Sequence, residues 1–390
     1  SQADCLPVFP DQTGWYGGDA AYSVPLPTDA GRTSLWLFGD SFVQRPDSGG
    51  GRQYPFVHNS IAVSHCSVRD DWSLDYFWGR DHDGEPRAFF APDPEAAWVR
   101  RTLEETGSLP YYWLFDGFVA HDILFVGLLR VAEAEPRGPF NLPFTLLGMD
   151  LARIENFREA PQDWQILIST LSENPVAFPG SAFVVSGNFV HSFAFIDRGD
   201  GRSHRMLSRL DLDALALWQP NLSNRLETLA ADSRWKLGFV PDDAMIVMDD
   251  DASEMSVHFD SEQKAWIAVY SHLDRKDDQR NADSVWIRRA QQLEGPWSAP
   301  EVLFEIPEME LNASGERDKN LFCYAAKAHP QFAAPGRLLI TYVCSLFARN
   351  PTETLEVLRR LQETPGLYRA RALSVPIPSD FEAAYPHTER

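Results

Sequence analysis

Apolar residues along this chain recur mostly with a period of two, in short runs divided by turn residues, which is the pattern of antiparallel strands. Positions 20–27 alternate, 28–31 (TDAG) carry turn chemistry, and 33–38 continue as an aromatic and aliphatic run, so a β-hairpin is expected here. Positions 60–65 and 73–78 complete a four-stranded group, with the Gly-rich loop 48–51 between them and the hairpin. A second group holds 111–119, 123–131 and 144–154; a third holds 181–186, 189–196 and 205–210, its first pair joined by Gly187-Asn188. The fourth runs 253–259, 265–270 and 284–290, with GPWSAP as its edge loop, and the fifth 322–328, 337–343 and 367–374. Two stretches are helical in composition: 95–105, and 352–362, where Thr352 is the expected cap and Glu353 and Glu356 suit the first turn. Positions 214–231 are mixed. Five groups of three or four short strands at blade-like intervals predict an all-β chain, a five-bladed β-propeller with short helical insertions; a two-sheet sandwich is the alternative.

No linker divides the 390 residues, so the expectation is a single propeller domain over 1–390. Twelve Trp and 25 Phe suit an aromatic-rich β protein, some of whose rings could stack on sugar faces. Lys and Arg number 35 against 56 Asp and Glu, a formal charge of −21, which argues against nucleic acid and anionic membrane as partners and leaves a neutral polysaccharide or oligosaccharide as the easier one. No apolar run is long enough to span a bilayer, and the start without Met reads as a processed or trimmed N-terminus; removal of a secretory signal, which gives the expected secreted or periplasmic location, and a truncation of other origin both account for it. Cys5, Cys66, Cys323 and Cys344 lack metal-ligand spacing, so no metal is assigned; Cys323 and Cys344 fall in neighbouring strands, with two buried thiols the ordinary outcome and a disulfide the alternative in an exported protein. Gly-rich phosphate loops, HExxH and G-x-S-x-G are all missing, so no cofactor is assigned and phosphoryl transfer, zinc proteolysis and esterase chemistry lose their usual support.

The chemistry concentrates in GWYGGDAAYSVPLPTDAGRTSLWLFGDSF, positions 14–42. Asp19 enters the first strand of the hairpin and Asp40 leaves the second, so an antiparallel pairing puts both at one end, facing one cavity. Two carboxylates so placed are the minimum equipment for acid/base cleavage of an acetal. Gly17, Gly18 and Gly39 precede them and permit a bend or a close approach. The competing account is that Gly-Asp pairs are turn signatures whose carboxylates cap backbone N–H groups. In a propeller the innermost strands converge on an axial channel, which makes Asp116, His191, Glu254, Lys327 and His329 further candidates to bind substrate. Asp116 equally suits a turn, His191 reads first as a satisfied histidine at a strand start, and Lys327 with His329 alternates on one strand face, where an unpaired buried lysine would be costly. Trp15, Tyr16, Trp78, Tyr112 and Trp113 are core or sugar-stacking aromatics.

In order along the chain, GWYGGDAAYSVPLP, LWLFGDSF, the Asn59-Ser60 pair, YYWLFDGFV, SEMSVHFD, GPWSAP and CYAAKAHP resemble the motifs of a bacterial propeller family of glycoside hydrolases, formerly a domain of unknown function, whose members are endo-D-arabinanases acting on mycobacterial cell-wall arabinan. The resemblance implies a five-bladed propeller, hydrolysis of furanosidic linkages, Asp19 and Asp40 as the catalytic pair, and Glu254, Lys327 and His329 with Asn59 along the substrate channel. The chain departs from that family in a longer first turn, in the 95–105 insertion and in the helix near Thr352, all at positions that decide which glycan enters. Two other functions fit the residues: a non-catalytic glycan-binding propeller, and a propeller hydrolase or phosphorylase for another glycan. Sialidase-like chemistry lacks its arginine cluster.

Overall fold

The computed structural model describes residues 5–27, 32–44, 56–67, 71–137, 142–197, 203–250, 252–272, 283–310, 315–316, 318–364 and 366–378. Among the described residues its strands form six antiparallel sheets, five set as the blades of a β-propeller and the sixth a two-stranded ribbon of Gly79–Arg80 and Pro86–Arg87. From the axis outward, the first blade runs Trp15–Leu26, Arg32–Val43, Ser60–Cys66, Trp72–Phe77, and the second Tyr111–Ala120, Ile123–Arg137, Leu142–Ile154, Ile166–Ser172. The third starts Ala177–Ser186, Phe189–Asp197, Ser203–Asp211 and is extended by Glu227–Leu229 and Trp235–Leu237, with Ile246–Asp250 also paired to its third strand. The fourth is Ser256–Asp260, Ala265–Ser271, Ser284–Ala290, Glu301–Glu305, and the fifth Leu321–Ala328, Arg337–Leu346, Arg371–Pro376.

The run LWLF at 35–38 shows why many strands here are continuously apolar. A blade is buried on both faces by its neighbours: Leu35 and Leu37 pack toward the second blade with Leu114 and Leu124, while Trp36 and Phe38 pack toward the fifth with Phe332 and Leu339. Outermost strands escape this rule. Glu301–Glu305 alternates nothing and stays largely exposed, and it and Ile166–Ser172 were not anticipated from pattern.

Three local expectations are corrected. The fourth blade's first strand begins at Ser256 and not 253, because 252–255 runs as coil toward the axis and carries Glu254 there. The helix near the C-terminus is Thr354–Glu363, preceded by the short turn Pro351–Glu353; Asn350 caps that turn by accepting the Thr352 N–H, and the helix itself follows Glu353 with no side-chain cap, so Thr352 does not cap it. Cys323 and Cys344 are opposed on adjacent strands and form a disulfide rather than two thiols, and Cys5 is joined to Cys66 in a second, unanticipated bond. The turn at 28–31 and the loop at 48–51 lie outside the described residues.

Among the described residues no strand from the start of the chain pairs into the fifth blade; side chains join the last blade to the first. Arg369 donates to the Tyr16 carbonyl at 2.7 Å and pairs with Asp11 at 3.2 Å, Gln331 donates to Ser23 at 2.7 Å, and Trp36 stacks on Phe332 at 5.6 Å. Among the described residues no helix is long and apolar enough to cross a membrane.

Candidate active site

The innermost strands run in the same direction around the axis, and four of them break register at the same depth. Pairing shifts between Gly18 and Tyr22, Leu114 and Gly117, Pro179 and Ala182, and Tyr324 and Lys327. Such bulges bend a strand and re-aim a side chain. In the first blade the irregularity is strong enough to hold Ala20 and Ala21 at φ 63° and 56°, and in the fifth Ala325 at 60°, a left-handed conformation that L residues adopt at a cost of about 1 kcal/mol or more each. Each break delivers chemistry to the channel: Asp19 in the first blade, Asp116 in the second, Lys327 in the fifth.

Two cavities occupy the two ends of this channel. The larger, about 890 Å³, opens where the inner strands begin and is lined by Asp19, Asp40 and Glu254 with a ring of aromatic residues. The smaller, about 310 Å³, lies where they end and is lined by Asp116, Lys327, His258 and His329. Between them sits the Lys327–Glu254 ion pair at 2.8 Å, with the lysine 1% and the glutamate 15% exposed. Lys327 Nζ also donates to the carbonyls of Ala20 at 2.6 Å and Ala325 at 2.9 Å and lies over the Tyr22 ring at 4.1 Å. The buried ammonium that the sequence flagged therefore has partners on every side, although burial still holds its pKa below the usual lysine range.

Asp19 and Asp40 are brought together by the register that pairs Gly18 with Ser41 and Ala20 with Phe38. The Asp19 carboxylate lies against the Cα of Gly39, where any Cβ would overlap its Oδ1. Tyr324 donates its hydroxyl to Asp19 Oδ2 at 2.7 Å, and Tyr368 hydrogen-bonds the same group. Burial first, then the negative charges of Asp40 and Glu254, push the Asp19 pKa up to about 8 despite those two phenols. Asp40 has a different environment: Trp113 Nε1 donates to its Oδ1 at 2.8 Å and His58 Nδ1 lies 3.2 Å from the same oxygen. Burial raises its pKa too, while His58 and Trp113 oppose the rise. The His58 ring is itself fixed by stacking on Tyr111, centroids 3.4 Å apart and planes 8° apart. The pair is thus one carboxyl held protonated near neutral pH beside one supplied with donors that favour its charge, the arrangement that divides acid and base roles.

Other candidates fall elsewhere. Asp116 faces the smaller cavity, accepts the Gly117 and Phe183 N–H groups at 2.8 and 2.7 Å, and is raised to about 7 chiefly by burial; the capping role weighed for it is present and ties the second blade to the third. His329 also lines the smaller cavity, between Ser23 and Thr341, and burial drives its pKa down to about 3. His191 lines neither cavity: it is buried on the second strand of the third blade beside Phe189 and Trp235, its pKa lowered by burial, and its Nδ1 has no hydrogen-bond partner among the described residues, so it is a core histidine but not the satisfied one expected. Asn59 is also off the channel. Fully buried, it donates to the carbonyls of Phe90 and Tyr112, both at 2.9 Å, and accepts the Phe90 N–H at 2.8 Å, holding the first two blades together. Trp15 and Tyr112 are core, whereas Trp113 reaches the large cavity.

The pattern missed His58, Tyr324 and Tyr368. The first two sit beside motifs already singled out, one residue before Asn59 and three before Lys327; Tyr368 follows an inserted helix and has no local signal. Among the described residues the one grouping close enough to hold a metal is Asp81, His82 and Asp83, which is on the surface and away from this site.

Residues 7–193 match the model of a domain of unknown function, DUF5005, over the first two blades and the start of the third. A search of curated protein sequences finds no match. Solved structures with a similar fold include a candidate hydrolase from Bacteroides ovatus, 16% identical over 93% of this chain and 86% of that one, with a TM-score of 0.64. An exo-1,5-α-L-arabinanase from a bovine ruminal metagenomic library follows at 12% identity, 95% and 96% coverage and TM-score 0.46. An endo-arabinase of Bacteroides thetaiotaomicron stands at 11%, 94% and 97%, and 0.41. The first of these likenesses establishes the propeller fold; at the scores of the other two no argument rests on them.

Proposed function

We propose that this protein is a glycoside hydrolase that cleaves furanosidic linkages in a neutral glycan, with the endo-cleavage of mycobacterial-type D-arabinan as the activity the motif resemblance points to. The observation that carries the proposal is the convergence of Asp19, Asp40 and Glu254 on one aromatic-lined cavity of about 890 Å³ with no arginine or lysine among the described residues of its wall. Four carboxylates, Glu133 being the fourth, without a cation disfavour a uronate, a sialate or inorganic phosphate, so the same wall speaks against the sialidase and phosphorylase alternatives. The two disulfides, with no free cysteine among the described residues, support an extracytoplasmic location.

In the proposed reaction the Asp19 carboxyl, protonated at neutral pH, gives its proton to the glycosidic oxygen as the bond from that oxygen to the anomeric carbon breaks. Asp40 supplies the opposing electron pair, directly or through a water whose proton it takes. His58 and Trp113 favour the charged form of Asp40 against the burial that raises its pKa, and Tyr324 and Tyr368 hold Asp19 against Gly39.

The test is incubation with mycobacterial arabinogalactan beside plant L-arabinan, reading released oligosaccharides by mass, with Asp19→Asn and Asp40→Asn as controls. Release from the D-arabinan that both variants lose, by a factor of about 100 or more, is the expected outcome. Full activity in either variant overturns the pair; release from neither polymer overturns the substrate.

A further inference from the structure

The part of the large cavity wall built by the fifth blade and its insertion carries an apolar cluster, Phe322, Leu346, Phe347, Leu358 and Leu361, alongside the hydroxyls of Tyr324, Ser345 and Tyr368. Phe322 and Phe347 meet edge to face at 5.7 Å, so this is a packed hydrocarbon surface. It does not stop at the cavity mouth. Helix Thr354–Glu363 spaces Leu355, Leu358 and Leu361 three apart, which puts them on one face, and leaves Leu355 82% and Leu358 45% exposed. Its charged residues are engaged with one another or with the blade: Arg359 with Glu356 at 2.6 Å and with Glu363, and Arg360 with Asp318. A leucine stripe continuous with a catalytic cavity is costly to leave in water unless a ligand covers it.

We propose that this wall binds the hydrocarbon part of an amphiphilic substrate, a furanoside carrying an alkyl, acyl or aryl group next to the bond that is cut. The inference rests on the hydrolase assignment above for the sugar half of the ligand. An anionic occupant is disfavoured, since the stripe adjoins a cavity lined by four carboxylates with no arginine or lysine among the described lining residues, and attachment to the sugar follows from the wall and the carboxylates sharing one cavity.

The experiment is a homologous series of methyl, butyl and hexyl D-arabinofuranosides, each followed for turnover, and for binding to the Asp19→Asn variant by tryptophan fluorescence. Lengthening methyl to hexyl is expected to lower KM and Kd by about tenfold or more in the wild-type sequence, a fraction of full burial of five methylenes. Leu355→Ser changes an exposed residue outside the cavity lining and is expected to remove most of that gain and to leave methyl furanoside turnover within about twofold; Leu358→Ser, in the cavity wall, is expected to remove most of the gain as well. Values flat across the series, or a gain that persists in both variants, overturn the proposal. A wild-type dimer that Leu355→Ser converts to monomer also overturns it, by making the stripe an interface between copies. Chain-length-dependent binding with no turnover of any member, joined to no release from either polymer, supports the wall and sinks the hydrolase assignment instead, so the two failures are separable.

Discussion

Replacing Asp19 with Asn tests the electrostatics of the site with the polymer left out. The Asp19 carboxyl rises from an ordinary 3.8 to about 8, through burial first and the charges of Asp40 and Glu254 second. A carboxyl whose folded-state pKa lies above its unfolded one favours folding only while protonated. Its contribution is therefore complete below about pH 4 and is lost progressively as pH climbs through 8. At pH 7 the folded group is still mostly protonated while the unfolded one is ionised, a cost on the order of 4 kcal/mol, growing toward about 6 kcal/mol above pH 8. Asparagine cannot ionise and still offers Tyr324 an acceptor oxygen, so Asp19→Asn is expected to be more stable than the wild-type sequence by an amount that grows with pH across this window. Urea unfolding of both proteins at pH 5, 7 and 9 measures it, with disulfides intact. In the same window the activity of the wild-type enzyme is expected to fall above about pH 8, as the proton is lost from Asp19. A stability difference independent of pH between 5 and 9, or an Asn variant less stable at all three, would refute the reasoning.

Gly39→Ala places a methyl group where the Asp19 carboxylate lies, so the acid must swing away from Tyr324. A loss of about 100-fold in kcat with a folded circular dichroism spectrum is expected, and activity within about threefold of wild type would show that Gly39 does not position the acid. Lys327→Met leaves the Glu254 charge buried without its partner; a stability loss of about 3 to 5 kcal/mol is expected, with substantial recovery in the Lys327→Met, Glu254→Gln double variant. Equal losses in the single and double variants would mean that the pair contributes by packing alone.

Local order in the sequence carried a good part of this molecule. The hairpin that holds Asp19 and Asp40 is contiguous and its apolar runs are long, so the sequence brings the two carboxylates to one region, although both strands run on past them to Trp15 and Val43 and the register shifts beside Asp19 are not legible in it. The same locality made the inner strands legible, because burial on both faces leaves them conspicuously apolar, while solvent-facing outer strands such as Glu301–Glu305 carry little pattern. Lys327 could be flagged as needing a partner because a buried ammonium cannot stand alone, but not matched to Glu254, 73 residues away.

What the tertiary structure alone decided is which candidates share a cavity. Asp116 lies on an inner strand and His329 just past the end of one, and both reach the far end of the channel; a bulge such as the one at Leu114–Gly117 leaves no reliable sequence signal. Asn59 is a buried tie between the first two blades, and His191 is buried away from both cavities. Tyr368 reaches Asp19 from the opposite end of the chain because the last blade closes on the first, a contact set by the ring geometry and by no nearby residue. The electrostatic split between Asp19 and Asp40 follows from those same long-range neighbours. The sequence could thus supply the pair, while only the closed ring could make its two members unlike.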